Sequence, residues 1–357
     1  MPTNLYDAHR QWALRPPDER FSSLEALQSF TAARKKSSTE AERILKQIEL
    51  KVLPEGSIIV NGNSPGARLS HWAFGQLCYS VGAPAKYLRT LPAEIARNCL
   101  SHGLGRSNYR CKLLLRANSD NSDTNPRRTA SAFTGPNYGR IWDADVVQQI
   151  TEATKDSGWH TPPAKSMSGS ENSGLYASDR DMFIFMVNDE NLVEVGNAKL
   201  GRGFFCWNSE TGAASFGLTT FLYNYVCGNH IVWGAEEVLE LRIVHKGEAL
   251  DRFHNLALPR LNQFVEDRAY NESVKETVSR AIAEPIAKDL DKTLDWFKDK
   301  PFTKGEITNA WDAGIAEGND VTTVWGMVQG LTAHARSLPY TNWRVNLERR
   351  AGTLLNL

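Results

Sequence analysis

The sequence of 357 residues has no excess of charge of either sign. It contains 41 lysine and arginine residues against 41 aspartate and glutamate residues, so its formal net charge is zero. This balance argues against a protein that coats duplex DNA through bulk electrostatic attraction. A local group of basic residues still binds phosphate when the acidic residues lie elsewhere, so the distribution of charge matters more than its sum.

Long apolar runs are also missing. No stretch has the roughly 18 apolar residues that a membrane-spanning helix requires. Residues 1–20 lack the apolar segment of a signal peptide. We therefore expect a cytoplasmic protein with no membrane partner. An apolar content of 41% is that of an ordinary globular protein, and the length allows one large domain or two ordinary ones.

No motif in the sequence is sufficient for catalysis by itself. The five cysteines are far apart and form no Cys-x-x-Cys pair, which argues against a zinc ribbon or a redox motif. The glycine-rich stretch 168–174 has neither the lysine of a P-loop nor the strand-to-helix context of a dinucleotide site. The leading interpretation therefore needs no reaction and no cofactor, while the sequence leaves enzymatic activity open.

Residue periodicity predicts an α+β fold with a central antiparallel sheet flanked by helices and a C-terminal helical region. Residues 174–248 contain short runs rich in Phe, Tyr, Val and Ile between turn residues, which predicts the sheet. Residues 249–357 follow a period of 3.6 residues interrupted by prolines, which predicts a series of helices. We expect the sheet and these helices to form one compact unit.

Residues 1–165 are predicted to form a mixed α/β region that includes a basic segment. A helix is expected behind Ser22 or Ser23 and is interrupted by a polar break near residues 35–38. A strand is expected at residues 109–117, and Asp143 is expected to cap a further helix.

Five segments of the chain carry a resemblance to a known family. They are SHWAFGQLCYSVGAPAKYL, YGRIWDADVV, LYASDRDMFIFMV, GFFCWNSETGAASFGLTTFLYNYVCGNHIVWG and VWGMVQGLTAHAR. The most specific part is the polar turn at residues 208–212, followed by a long strand and a valine-cysteine-x-asparagine pattern ending at Asn229 and His230. This pattern resembles the domain of unknown function 932 family, also labelled phage/plasmid-like protein. The resemblance implies DNA-related work for a phage or plasmid-type mobile genetic element.

A basic stretch between residues 97 and 140 is the first candidate site. Arginine and lysine neutralise successive phosphates while aromatic rings stack on bases, so this composition suits single-stranded DNA. The predicted nucleic-acid-binding residues are Arg97, Arg106, Arg110, Lys112, Arg116, Arg127, Arg128, Arg140, Tyr109 and Tyr138, and the aromatic Phe133 lies in the same stretch. The leading hypothesis is single-stranded DNA binding that supports annealing or recombination in a homo-oligomer. The alternative is a solvated surface whose charges pair with acidic residues elsewhere.

Two Asp-x-Asp units form the second candidate site. Asp143 with Asp145, and Asp179 with Asp181, offer the oxygen ligands that Mg²⁺ prefers. They would make the protein a metal-dependent nuclease or nucleotide-acting enzyme, although Asp143 and Asp145 also fit the first turn of a helix. A third hypothesis is an inhibitor of host defence that binds a host or phage protein.

Two further groups lie in the predicted sheet. Cys227, Asn229 and His230, with Cys206, offer a Cys/His constellation for zinc or nucleophilic chemistry, and core packing is the alternative. The strand aromatics offer either a stacking platform or core contacts. They are Phe204, Phe205, Trp207, Phe216, Phe221, Tyr223, Tyr225 and Trp233.

Overall fold

The computed structural model describes residues 16–61, 66–117, 128–161, 174–195, 198–224, 230–231, 240–266, 269–338 and 341–356. Within these ranges the chain forms two β-sheets and a helical C-terminal region, and all strand pairs but one are antiparallel. The predicted α+β class is therefore confirmed. None of the described helices combines the length and the apolar character needed to cross a membrane.

A six-stranded first sheet lies in the N-terminal part of the chain, where the sequence patterns predict only isolated strands. Its strands are β1 (Ser38–Ile44), β2 (Glu49–Val52), β3 (Ile58–Asn61), β4 (Ala67–Leu69), β5 (Arg110–Ala117) and β6 (Arg128–Thr134). Their order is β1-β5-β6-β4-β3-β2, and only β4 and β6 run parallel. Residues alternate between the two faces of β5, so Cys111 and Leu113 join a helical core while Lys112 and Arg116 point to the opposite face.

The helices of this part are α1 (Leu24–Lys36), α2 (His71–Ser80), α3 (Ala85–Leu88), α4 (Ala93–Gly105) and α5 (Asp143–Thr154). Ser23 caps α1 by accepting a hydrogen bond from the backbone N–H of Ala26, and the helix ends at the predicted break. Leu77 of α2 and Leu100 of α4 pack into the core of the first sheet. By contrast, α5 packs into the core of the second sheet, so the predicted region 1–165 contributes to both cores.

The second sheet is built around three long antiparallel strands. Its strands are β7 (Trp159–His160), β8 (Leu175–Ala177), β9 (Met182–Val195), β10 (Ala198–Asn208), β11 (Phe216–Asn224), β12 (His230–Ile231) and β13 (Glu240–Ile243). Strand β10 lies between β9 and β11. On one face, Phe204 and Cys206 pack into the core shared with the helical region, and on the other face Phe205 and Phe221 join an aromatic cluster.

Burial decides the role of most of the strand aromatics. The buried members are Phe204, Phe205, Trp207, Phe216 and Phe221. They serve as core contacts, because buried rings are out of reach of a base. The side chain of Tyr223 and residues Tyr225 and Trp233 lie outside the described part of the chain.

The C-terminal region is helical, as the periodicity predicts. It contains α6 (Ala249–Arg252), a π-helical turn (Phe253–Ala257), α7 (Leu258–Glu266), α8 (Ala269–Ala283), α9 (Leu290–Trp296), α10 (Lys304–Ala316), α11 (Val324–Ser337) and α12 (Thr341–Thr353). Thr303 and Glu306 form a capping box at the start of α10. Helices α10 and α11 pack closely at Gly330, where a Cβ atom would lie 2.2 Å from the carbonyl oxygen of Ala310.

Candidate functional site

The turn at residues 208–212, which follows β10, joins the two sheets. The backbone carbonyl of Thr211 accepts hydrogen bonds from Trp72 Nε1 (3.0 Å) and Gln76 Nε2 (2.8 Å) of α2. The carbonyl of Ser209 accepts a hydrogen bond from the Tyr138 hydroxyl (2.8 Å). Gly212 has φ +86°, a conformation that favours glycine. The turn therefore positions side chains from α2 and from the segment that follows β6.

Charged side chains fill the space behind this turn. We call them the buried charge cluster, and its members are Arg34, Arg116, Arg140, Asp143 and Glu210; the exposed Glu40 pairs with Arg140 at its edge. Arg34 Nη2 lies 2.5 Å from Asp143 Oδ2, and Arg140 Nε lies 2.7 Å from Glu40 Oε2.

Glu210 is the centre of the buried charge cluster. Its carboxylate accepts hydrogen bonds from the guanidinium of Arg116 and from the backbone N–H of Asp143. Asn208 Nδ2 donates to Asp143 Oδ1 over 2.6 Å, so the turn holds both carboxylates. Buried charges are tolerated only when they are paired in this way. The cluster thus fixes the turn to α1, β5 and α5.

Burial also changes the acidity of the cluster residues. Burial and the nearby carboxylate of Glu210 raise the pKa of Asp143. Burial lowers the pKa of Arg116, and the negative charge of Glu210 opposes that change. Trp142 occupies the cap position of α5 and Asp143 is the first helical residue, one position from the predicted arrangement.

His245 is a buried titratable group next to the buried charge cluster. Its ring stacks on Tyr138 with centroids 5.1 Å apart, and its Nδ1 lies 3.1 Å from the carbonyl oxygen of Gly139. Burial lowers the pKa of His245 to about 4 from its usual 6.5. The folded protein therefore holds His245 neutral at a pH where the unfolded chain binds a proton.

The contribution of His245 to the stability of the protein is expected to fall as the pH drops from about 6.5 towards about 4, because only the unfolded state takes up a proton at His245 in this window. Through His245 alone, the loss between about pH 7.5 and pH 5 is on the order of 2 kcal/mol. Urea unfolding of the wild type and His245→Phe at both pH values measures this difference. Asp143 is present in both proteins. Its raised pKa gives stability the opposite dependence on pH, and this contribution cancels when the two proteins are compared. Identical pH dependence in the two proteins would contradict the assignment.

An open cleft lies on the other side of the turn. We call it the aromatic cleft; its volume is about 950 Å³. Its aromatic lining residues are Trp72, Tyr79, Tyr109, Phe133 and Tyr138. Arg89 and Arg180 supply its two positive charges, and none of its described lining residues is an aspartate or glutamate. The aromatic cleft therefore combines flat apolar surfaces with positive charge.

The rings at the mouth of the aromatic cleft are open to solvent. Tyr79 is 90% exposed and Tyr109 is 54% exposed. Also in the cleft, the guanidinium of Arg180 lies 5.5 Å from the centroid of the Trp72 ring. Exposed aromatic rings beside arginine have the chemistry needed to stack on flat ligands and to bind negative charge.

The predicted basic residues divide into groups with different surroundings. Arg116 and Arg140 are buried in ion pairs, which leaves them out of reach of a surface ligand. Lys112 donates to the carbonyl of Tyr138 and lies 3.6 Å from Glu40. Arg97 pairs with Glu94 one turn earlier in α4.

Three of the predicted arginines are exposed, and Arg127 lies outside the described residues. Within the described chain, the side chains of Arg106, Arg110 and Arg128 make no ion pair. Arg110 begins β5, whereas Arg128 pairs with Ala117 at its far end. Seven residues of strand separate these positions by roughly 23 Å. Arg106 and Arg110 flank Tyr109 in sequence, while Arg128 belongs to the opposite end of the sheet.

The four aspartates of the metal hypothesis have separate partners. Asp143 belongs to the buried charge cluster, and Asp145 Oδ1 lies 2.5 Å from Lys35 Nζ. Asp181 accepts a hydrogen bond from the Ser178 hydroxyl, and Asp179 lies 3.9 Å from the guanidinium of Arg180. In the described ranges, no three His, Cys, Asp or Glu side chains form a group that could hold a metal ion.

The predicted Cys/His constellation is described only in part. Cys206 is buried in the core of the second sheet, and burial raises the pKa of its thiol. Residues Cys227 and Asn229 and the side chain of His230 lie outside the described part of the chain.

Several residues of the aromatic cleft are absent from the sequence-based prediction. Trp72, Gln76 and Tyr79 are spaced at i, i+4 and i+7, so they share one face of α2. Leu77 and Cys78 occupy the face that packs into the core. A helix needs only one apolar face to pack against a sheet. The second face of α2, which carries aromatic residues, is the signal in the sequence that indicates a further role for this helix.

The fold and the site define an α+β protein in which a buried charge cluster supports an aromatic and cationic cleft between two sheets. A family model described as domain of unknown function (DUF932) matches residues 133–338, more than half of the chain. The chain therefore belongs to this family. No curated protein and no solved structure matches the chain. The match includes the 208–212 turn and Tyr138, whereas Trp72, Tyr79 and Tyr109 of the aromatic cleft lie before it.

Proposed function

We propose that the protein binds single-stranded nucleic acid in the aromatic cleft. The observation that carries this proposal is the lining of the cleft, which joins exposed aromatic rings to two arginines without a described carboxylate. Aromatic rings stack on the faces of bases, and each stacked base contributes about 1 to 3 kcal/mol. Arginine binds the phosphates that connect those bases.

The exposed rings favour a single strand over a duplex. Base faces are covered by their neighbours inside a duplex, so a stacking site requires bases that have been unstacked. Tyr79 and Tyr109 at the mouth of the cleft offer such surfaces. A neutral chain is compatible with this binding, because the described lining of the cleft carries two arginines and no aspartate or glutamate.

The biological setting stays a prediction from the family resemblance. Annealing or recombination for a phage or plasmid-type element, in a cytoplasmic homo-oligomer, fits a protein that binds single strands. The metal-dependent nuclease or nucleotide-acting enzyme, with Mg²⁺ as its cofactor, and the protein-binding inhibitor of host defence also stay predictions. No specific feature of the described residues favours either of them over binding in the cleft.

Fluorescence anisotropy with labelled single-stranded and duplex oligonucleotides over a salt series tests the proposed function. We expect tighter binding of the single strand. In Arg89→Ala/Arg180→Ala, the slope of log K against log salt should decrease in magnitude by about 1.4 if each arginine meets one phosphate.

The matched control removes two cations that do not line the aromatic cleft, in the variant Lys199→Ala/Lys292→Ala. Its salt slope should equal that of the wild type. A third variant, Arg127→Ala/Arg128→Ala, shows whether the other end of the first sheet contributes as the sequence predicts. Absence of binding at low salt, or equal losses in the cleft variant and the control, would refute binding in the cleft.

A further inference from the structure

Several polar side chains inside the aromatic cleft, among them Trp72, Gln76 and Tyr138, already hydrogen-bond to the protein itself. Gln76 uses both ends of its amide, because Oε1 accepts a hydrogen bond from the backbone N–H of Phe133 (2.9 Å) and Nε2 donates to Thr211 (2.8 Å). A glutamine that reads adenine needs both ends of the amide for the base. The amide of Gln76 therefore holds the walls of the cleft together and is not free to bind a base.

Trp72, Tyr138 and Ser80 also donate their hydrogen bonds to the protein itself. The indole N–H of Trp72 is its only donor, and it bonds to the carbonyl of Thr211. The hydroxyl of Tyr138 donates to Ser209, and the hydroxyl of Ser80 donates to the carbonyl of Leu77. These rings and side chains present their faces and their carbon atoms to a ligand, while their hydrogen-bonding atoms point into the protein.

The two arginines of the cleft carry the positive charge that can bind phosphates. Arg89 donates to the carbonyl of His71 and lies over the ring of Phe74, so part of its guanidinium is used. Arg180 lies over Trp72 and is about half exposed. A guanidinium that stacks on an aromatic ring next to a bound base is in position to meet the phosphate of that nucleotide.

We infer that the aromatic cleft holds single-stranded nucleic acid by base faces and phosphates and does not read base edges, so that it accepts strands of any sequence. This inference rests on the proposed function and specifies its substrate class. Discrimination between bases requires free donors and acceptors directed at base edges, and Trp72, Gln76 and Tyr138 use theirs on the 208–212 turn and on nearby backbone.

The test is a competition titration of the wild-type protein with unlabelled strands of equal length. The strands are oligo-dT, oligo-dA, oligo-dC, oligo-dT with isolated dG substitutions, and an abasic strand with the same number of phosphates. We expect the affinities of the base-containing strands to agree within about threefold. The abasic strand should bind at least about tenfold more weakly, because the stacked bases are missing.

The results separate the inference that binding is independent of sequence from the proposed function, which is binding of single strands. A preference of more than tenfold for one base would overturn the inference and leave single-strand binding intact; a dG preference that disappears in Arg180→Ala would identify Arg180 as the residue that reads the base. Equal binding of the abasic strand would also overturn the inference, because phosphates alone would then carry the affinity. Failure of every strand to compete would overturn the proposed function itself.

Discussion

Replacing Glu210 with alanine is expected to lower the free energy of unfolding by about 3 to 5 kcal/mol, because the change leaves a buried guanidinium without its partner. Arg116 is almost fully buried, and its guanidinium donates to the Glu210 carboxylate. The same carboxylate accepts the backbone N–H of Asp143 at the start of α5. Urea unfolding followed by circular dichroism measures the loss.

The matched control is Glu94→Ala, which removes the partner of Arg97 on the surface of α4. The Glu94 side chain is 61% exposed, so the loss should be about 1 kcal/mol or less. A double variant, Arg116→Met/Glu210→Leu, removes both buried charges and should recover part of the stability lost in Glu210→Ala. Equal stabilities for Glu210→Ala and Glu94→Ala would contradict the buried charge cluster as the support of the 208–212 turn.

Removing the two exposed rings of the aromatic cleft is expected to have the largest effect on nucleic-acid binding. Two lost stacking contacts of about 1 to 3 kcal/mol each correspond to a rise in Kd of at least roughly 30-fold in Tyr79→Ala/Tyr109→Ala. Because both side chains are exposed, the melting temperature should stay close to that of the wild type. Anisotropy with a labelled single strand measures Kd, and thermal unfolding verifies the fold.

Two controls separate stacking from other effects. Tyr79→Phe/Tyr109→Phe keeps both rings and should retain affinity within a few-fold. Tyr87→Ala removes an aromatic side chain that is 60% exposed but does not line the aromatic cleft, and it should leave Kd unchanged. If Tyr87→Ala and the double alanine variant weaken binding equally, general surface aromaticity rather than the cleft would explain the affinity.

The second sheet and the C-terminal helices were predictable because their signals are local. Strands such as β9 and β10 are rich in aromatic and β-branched residues, and prolines mark the helix breaks. The first sheet lacks such signals. Strand β1 has the sequence STEAERI, and its polar side chains become a strand only through pairing with β5. Strands β2 and β4 are short, so their tertiary pairing decides their structure.

The site was predictable only where residue type alone is informative. A basic and aromatic segment is visible in the sequence, and it does contain Tyr109 and Tyr138 of the aromatic cleft. The sequence does not show that Arg116 is neutralised by Glu210, 94 residues away. It also does not show that Trp72 bonds to Thr211, 139 residues away. Partners at such separations are fixed by the fold and leave no local pattern.

Photo-crosslinking tests the central claim most directly, because it reports where a bound strand touches the protein. A single-stranded oligonucleotide that carries 5-iodo-deoxyuridine is bound, irradiated and mapped onto the chain by mass spectrometry. The aromatic cleft predicts crosslinks at Trp72, Tyr79 or Tyr109, whose rings line it. Crosslinks confined to the segment around Arg127 and Arg128, or to residues that do not line the cleft, would contradict the account.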